Sequence, residues 1–123
     1  MQYESVLPHF EIKEGIQGVG VFATTDIPEN TVLFTMHGKI LNQPTRTSVQ
    51  VGHDQHIEDK IGGRVNHACH PTARVNQADR TMISVRPIIK GEEITFDYRE
   101  NEDKLANPFV CKCCNKEIRG KQG

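Results

Sequence analysis

The chain has 123 residues, the length of one domain, with 36% hydrophobic and 25% charged residues and an aromatic set of five Phe and two Tyr. Fifteen Lys and Arg against sixteen Asp and Glu leave a formal net charge of -1, without the basic excess that a dedicated nucleic-acid binder needs, so no nucleic acid is expected as primary ligand. No apolar run reaches the roughly 20 residues of a membrane span, and residues 1–9 lack the basic and apolar regions of a signal peptide. The expected setting is intracellular, cytoplasmic or nuclear, with no membrane partner.

Long amphipathic helical periodicity is absent, and short β-favouring stretches broken by Gly, Pro and Asn recur. The expected fold class is therefore mostly β, in several small sheets. Strands are expected at 20–24, 31–36, 48–51, 73–76, 81–85 and 93–98, with turns at Pro28-Glu29-Asn30, at 76–79 and at Lys90-Gly91. The polar stretch 98–108 reads as a loop or a single helical turn.

Charge is uneven along the chain. Residues 91–103 hold six acids against Arg99, a local charge of -5, while 109–123 carry Lys112, Lys116, Arg119 and Lys121 against Glu117, or +3. Two solvated segments that attract each other are the ordinary reading; an acidic rim that recruits a basic peptide is the functional one. The four cysteines stand at 69, 111, 113 and 114. In a reducing compartment they point to free thiols or metal before disulfides.

Three stretches carry chemistry. In Gln17-Gly18-Val19-Gly20-Val21-Phe22, two residues without side chains enter a strand, which lets backbone groups approach a ligand closely or simply forms a bulge. The third Gly of a dinucleotide fingerprint and the Gly-Lys-Ser/Thr of a P-loop are both missing. Asn66-His67-Ala68-Cys69-His70-Pro71 is a polar cluster that Pro71 keeps out of a helix. Its Asn can read the edge of a base, its His and Cys could ligate metal, or Cys69 could be a small buried hydrophobe beside surface histidines. In Gly91-Glu92-Glu93-Ile94-Thr95-Phe96-Asp97-Tyr98, a strand would set Phe96 and Tyr98 on one face about 6 to 7 Å apart. They would wall an apolar slot or face an ordinary core.

Taken together and in this order, the three stretches resemble the SET-domain protein lysine methyltransferases, over roughly residues 11–120. The match is to Gly-x-Gly, to Asn-His-Ser-Cys-x-Pro-Asn and to Gly-Glu-Glu-Ile/Leu-Thr-Phe-Asp-Tyr. The tail from Phe109 to Gly120 is similar to the short post-SET segment, Cys-x-Cys-x4-Cys-Arg-Gly. The resemblance implies a SET domain at 1–108, a post-SET-like tail at 109–123 and a threaded, pseudoknot-like C-terminal segment. It also implies methyl transfer from S-adenosylmethionine to a lysine nitrogen of a basic protein or peptide, such as a histone tail or a ribosomal protein. Gly18, Val19, Gly20, Asn66, His67 and Phe109 would hold the cofactor, Tyr98 would be the catalytic tyrosine, and Phe96 would line the substrate channel. Phe rather than Tyr at 96 leaves room for di- or trimethylation. A homodimer that completes the substrate groove is a further expectation for so short a chain.

The chain departs from the family pattern at Ala68, where the family has Ser, and at Thr72, where it has Asn. In the family, three tail cysteines and the one in the middle motif bind zinc. Here Cys69, Cys111 and Cys113 align, the last ligand position is Ile118, and Cys114 is adjacent to Cys113. No complete structural zinc site is therefore expected, with His70 or water as the candidate fourth ligand and packing of Phe109 and Ile118 as the substitute. The alternatives to an active enzyme are a catalytically silent SET-like cofactor- or protein-binding module and a small zinc-dependent interaction domain.

Overall fold

The structure, a computed structural model, describes residues 10–15, 18–103, 105–106, 108–111 and 115–118. Its strands in chain order are β1 (Phe10–Gly15), β2 (Gly18–Ala23), β3 (Val32–Thr35), β4 (Lys39–Leu41), β5 (Ser48–Gly52) and β6 (Gln55–Glu58). After a 3-10 turn at Gly62–Arg64 come β7 (Asn66–His67), β8 (Ala73–Asn76), β9 (Thr81–Ser84) and β10 (Glu93–Phe96). A single helical turn, α1 (Tyr98–Asn101), leads to β11 (Phe109–Val110) and β12 (Glu117–Ile118). The fold is thus mostly β, in small sheets, as expected.

The main sheet has the order β1-β2-β10-β7. The β1–β2 hairpin runs antiparallel from the pair Phe10–Ala23 to the pair Gly15–Gly18. β10 takes the other edge of β2 through Glu93–Phe22 and Ile94–Val21. β7 then adds to β10 in parallel, setting Asn66 beside Thr95 and His67 beside Phe96. Two three-stranded sheets, β3-β9-β8 and β4-β6-β5, complete the body. Their inner faces and that of the main sheet share one core, in which Val21, Met36, Ile57, Met82, Ile88 and Ile94 are fully buried. Each such side chain contributes about 1.5 to 3 kcal/mol relative to exposure.

The sequence-based strand at 93–98 is shorter than expected. It ends at Phe96, because Asp97 leaves the strand as an N-cap and accepts a hydrogen bond from the Arg99 amide at 2.9 Å. Tyr98 therefore opens α1 instead of continuing the aromatic face. β1, β4, β6, β7, β11 and β12 had no counterpart in the expected strands; three of them have three or more residues but are rich in charged and polar side chains or short, and the other three have two residues each.

The segment after α1 docks on β5, which β6 covers on one edge only. On the other edge, the Gln50 amide donates to Glu102 Oε2 at 2.8 Å and the Asn101 side chain donates to the Gln50 carbonyl at 3.0 Å. The Gln50 side chain extends the clamp, accepting from the Asp103 amide at 2.6 Å and donating to the Asp103 carboxylate at 2.7 Å. The acidic stretch 91–103 is consequently not a solvated rim. Asp97 and Glu102 are buried, Glu92 and Glu93 are half-buried, and Glu100 is the exposed acid of the group. Beyond it, β11 pairs with β12 through Phe109–Ile118 and Val110–Glu117, and Ile118 is fully buried.

Candidate functional site

A cavity of about 610 Å³ opens between the main sheet, the β5 edge and the β11 strand, a size that suits a cofactor and a side chain together. Gly18, Asn66, His67, Phe96, Tyr98 and Phe109 all line it. Six of the eight residues singled out in the sequence therefore meet in one place, although they lie on four separate strands and a helical turn. The β10–β7 pairing explains much of this convergence, since it fixes Asn66 and His67 as lateral neighbours of Thr95 and Phe96.

Val19 and Gly20 are not among the lining residues, and Val19 is exposed. The Asn66 amide nitrogen donates to the Val19 carbonyl at 3.1 Å and to Glu93 Oε2 at 2.7 Å. Both contacts hold the donor end of Asn66 on the protein and leave its carbonyl oxygen as the acceptor it offers a ligand. Gly20 is required for this arrangement: a Cβ there would overlap the Glu93 carboxylate and stand 2.9 Å from the Asn66 nitrogen. Gly18 has φ +89°, in the left-handed region that a side chain resists.

His67 is fully buried by side chain. Its Nδ1 accepts from the Tyr98 amide at 3.1 Å, so the neutral ring carries its proton on Nε2, which faces Cys69 Sγ at 3.7 Å. Burial lowers its pKa below the ordinary histidine value; Asp97 opposes that effect and Arg99 adds to it. The Arg99 guanidinium grips Asp97 with both prongs, at 3.0 and 2.9 Å. Although burial opposes it, the Asp97 pKa is lowered by these Arg99 contacts and by His67.

Tyr98 is enclosed by three rings, with centroids at 4.8 Å for Phe96, 5.3 Å for His67 and 5.9 Å for Phe109. Its hydroxyl donates to the Val65 carbonyl at 2.6 Å. Burial pushes the phenol well above its ordinary pKa, and the Glu102 and Glu93 carboxylates push it further. Tyr98 is therefore a neutral hydrogen-bonding phenol and no base. Sequence reasoning missed Glu93, Glu102 and Val65. The first two were visible as acids of the 91–103 stretch, but nothing in their spacing marked them as inward-facing.

Cys69 and Cys111 bring their sulfurs to 3.7 Å, close to the about 3.8 Å separating two thiolates on one tetrahedral zinc with Zn–S bonds of about 2.3 Å. With His67 they form a group whose ligand atoms all lie within 4.8 Å of one another. The His67 proton, held on Nε2 by the Tyr98 contact, makes the ring a donor to sulfur more readily than a third ligand. His70 is exposed and stands outside this group. Cys113 and Cys114 lie outside the described residues.

The SET domain model matches residues 18–99, more than half of the chain. The chain belongs to the SET-domain family. Curated relatives include the "Histone-lysine N-methyltransferase, H3 lysine-36 specific" of Candida albicans, 28% identical with 89% of this chain and 16% of the relative covered. The proteins of the same description from Candida glabrata and Saccharomyces cerevisiae are 31% and 30% identical, covering 82% and 79% of this chain and 18% and 16% of the relatives. Human "Histone-lysine N-methyltransferase 2D" is 29% identical over 80% of this chain and 2% of its own length. The chain thus spans less than a fifth of the length of each of these relatives. Among the described residues no helix is long and apolar enough to cross a membrane.

Proposed function

We propose that the chain transfers a methyl group from S-adenosylmethionine to a lysine side-chain nitrogen of a basic protein or peptide. The observation that carries this reading is the convergence of Asn66, His67, Phe96, Tyr98 and Phe109 on one cavity, with the Tyr98 hydroxyl fixed on the Val65 carbonyl. Gly18, Val19, Gly20, Asn66, His67 and Phe109 would hold the cofactor, and the size of the cavity together with the side-chain-free cradle at Gly18 fits it. Bound there, S-adenosylmethionine supplies a methyl group on a sulfonium, which needs an aligned, deprotonated amine and little water.

The protein's own part is alignment. Tyr98 presents a neutral phenol that can orient the amine, and the surrounding rings of Phe96, His67 and Phe109 exclude water from the path. A free lysine has a pKa of about 10.4, so the amine must be neutralised on entry. Phe96, buried and without a hydroxyl, leaves space for more than one methyl group. The Cys69–Cys111 spacing would suit two thiolates on a structural zinc, a question that metal analysis of the purified protein decides. The relatives' names support a histone among the basic substrates, and with it a nuclear setting.

The test is incubation with labelled S-adenosylmethionine and a panel of basic proteins, comparing wild type with Tyr98→Phe. Labelling that depends on Tyr98 is expected. Labelling that is equal in the two proteins would overturn the assignment.

A further inference from the structure

We propose that two copies of this chain join along the outer edge of β1, the two β1 strands running antiparallel with Ile12 opposite Ile12, so that the main sheet continues from one copy into the other. This pairing does not depend on the methyltransferase reading.

β1 closes one side of the sheet order β1-β2-β10-β7, and among the described residues no strand pairs with its other side. Ala23 turns its backbone away from β1, donating to the Glu92 carbonyl at 2.9 Å and accepting from the Gly91 amide at 2.8 Å. The Phe10–Ala23 pair is therefore not one that exchanges hydrogen bonds across β1 and β2. Bonded and non-bonded pairs alternate in an antiparallel ladder, so the Ile12–Val21 pair is not one either. The Ile12 N–H and C=O consequently point outward from the sheet, in reach of another strand.

The side chains select which strand fits. Ile12 is 46% exposed, although Val21 and Ala23 on the same face of the hairpin are buried. The apolar face thus continues past the core to the open edge. On the opposite face, Glu11 and Lys13 form an ion pair at 3.3 Å, both about half-exposed, and the Lys13 ammonium also stands 5.0 Å from the Phe22 ring centre. A second β1 laid antiparallel about Ile12 sets its own Lys13 across from Glu11 and its own Glu11 across from Lys13. Each charge keeps its partner in the chain and gains a second opposite neighbour, and the four alternate in sign around a square.

Other arrangements lose this match. A parallel, in-register pairing, or an antiparallel one centred on Glu11 or on Lys13, sets like charges opposite each other, which destabilises a strand pair. The register about Ile12 also removes two exposed isoleucine side chains from water on the other face. β7, which carries Asn66 and His67 to the cavity, is the opposite edge of the sheet. Two four-stranded sheets joined at β1 therefore make one of eight strands, with β7 at each outer edge.

The experiment is sedimentation equilibrium of the full chain, with hydrogen exchange of the Ile12 amide, both followed from micromolar to millimolar concentration. Wild type is expected to dimerise within that range, and the Ile12 amide should exchange more slowly as the dimer forms. Lys13→Glu and Glu11→Lys should each weaken self-association by about tenfold or more, because the facing pairs turn from attractive to repulsive. An equimolar mixture of the two variants should associate at least as tightly as wild type, since each chain then faces its opposite. A wild type that stays monomeric throughout, that dimerises without slowing exchange at Ile12, or that protects Ile12 equally at every concentration would overturn the proposal. Single variants that associate as wild type does, or a mixture no tighter than either variant alone, would overturn it as well. The mixing experiment holds whatever each substitution costs its own chain in stability, and exchange at Ile12 in wild type needs no variant.

Discussion

The Tyr98 hydroxyl donates to the Val65 carbonyl oxygen at 2.6 Å, joining the first residue of α1 to the residue that precedes β7. That bond joins two residues that line the cavity, and its removal should be felt in two separate quantities. Tyr98→Phe is expected to cost about 1 kcal/mol of folding stability, since one buried bond is lost and the ring remains. Methyl transfer should fall by about a hundredfold or more, the scale of a misaligned reacting pair. Chemical unfolding and single-turnover labelling on the same preparation separate the two.

Ionisation of Tyr98 gives a second prediction. Its phenol holds the proton well above the ordinary tyrosine value of about 10. The folded state therefore binds that proton more tightly than the unfolded chain. The stability from this linkage is complete below about pH 10 and is lost as pH rises towards the folded pKa. Tyr3 is the other tyrosine and lies outside the described residues. In a Tyr3→Phe protein, phenolate absorbance should therefore appear together with alkaline unfolding. A reversible titration of the folded protein near pH 10 would contradict the burial and charge surrounding Tyr98.

Phe96 and Tyr98 have ring centroids 4.8 Å apart, and Phe96 is 3% exposed. On the proposed reading, a hydroxyl introduced at 96 would occupy cavity space that a methylated amine needs. Phe96→Tyr should shift the products towards monomethyl-lysine, as read by mass spectrometry of the labelled substrate. An unchanged product distribution would place Phe96 away from the acceptor nitrogen.

Two glycines should fail in different ways. At Gly20, a Cβ meets the Glu93 and Asn66 side chains, which can shift. Gly20→Ala is therefore expected to weaken cofactor binding, by calorimetry, more than it lowers the melting temperature. At Gly63, a Cβ would overlap the Thr47 backbone oxygen, which cannot move without moving its strand entry. Gly63→Ala should cost about 2 kcal/mol or more of stability, in the range of substitutions that force backbone strain or overpacking.

The strands with strong apolar content were legible: residues 73–76 were expected and observed with the same bounds, 48–51 and 81–85 differ by one residue at one end, and 31–36 by one residue at each end. The site motifs were legible because each combines rare residue types in order. What stayed hidden came from the tertiary fold. Nothing local tells Glu102 to face inward, because its partner Gln50 is 52 residues away in sequence. The turn of Tyr98 out of the strand depends on the cap at Asp97, a signal that competed with a continuous apolar alternation through 94, 96 and 98. Ile118 was legible as a departure from a ligand position, and its complete burial opposite Phe109 gives the reason that position accepts an apolar side chain.

The clamp on Gln50 has a consequence for how the molecule comes into being. Side chains of Asn101 and Glu102 stand where a neighbouring strand would otherwise bond β5. A nascent chain that has emerged only as far as β10 would carry that edge bare, available to any other unsatisfied strand in its surroundings. The residues that complete the cavity are thus also those that close the protein to wrong associations, and a fragment ending before Asn101 should lose solubility along with activity.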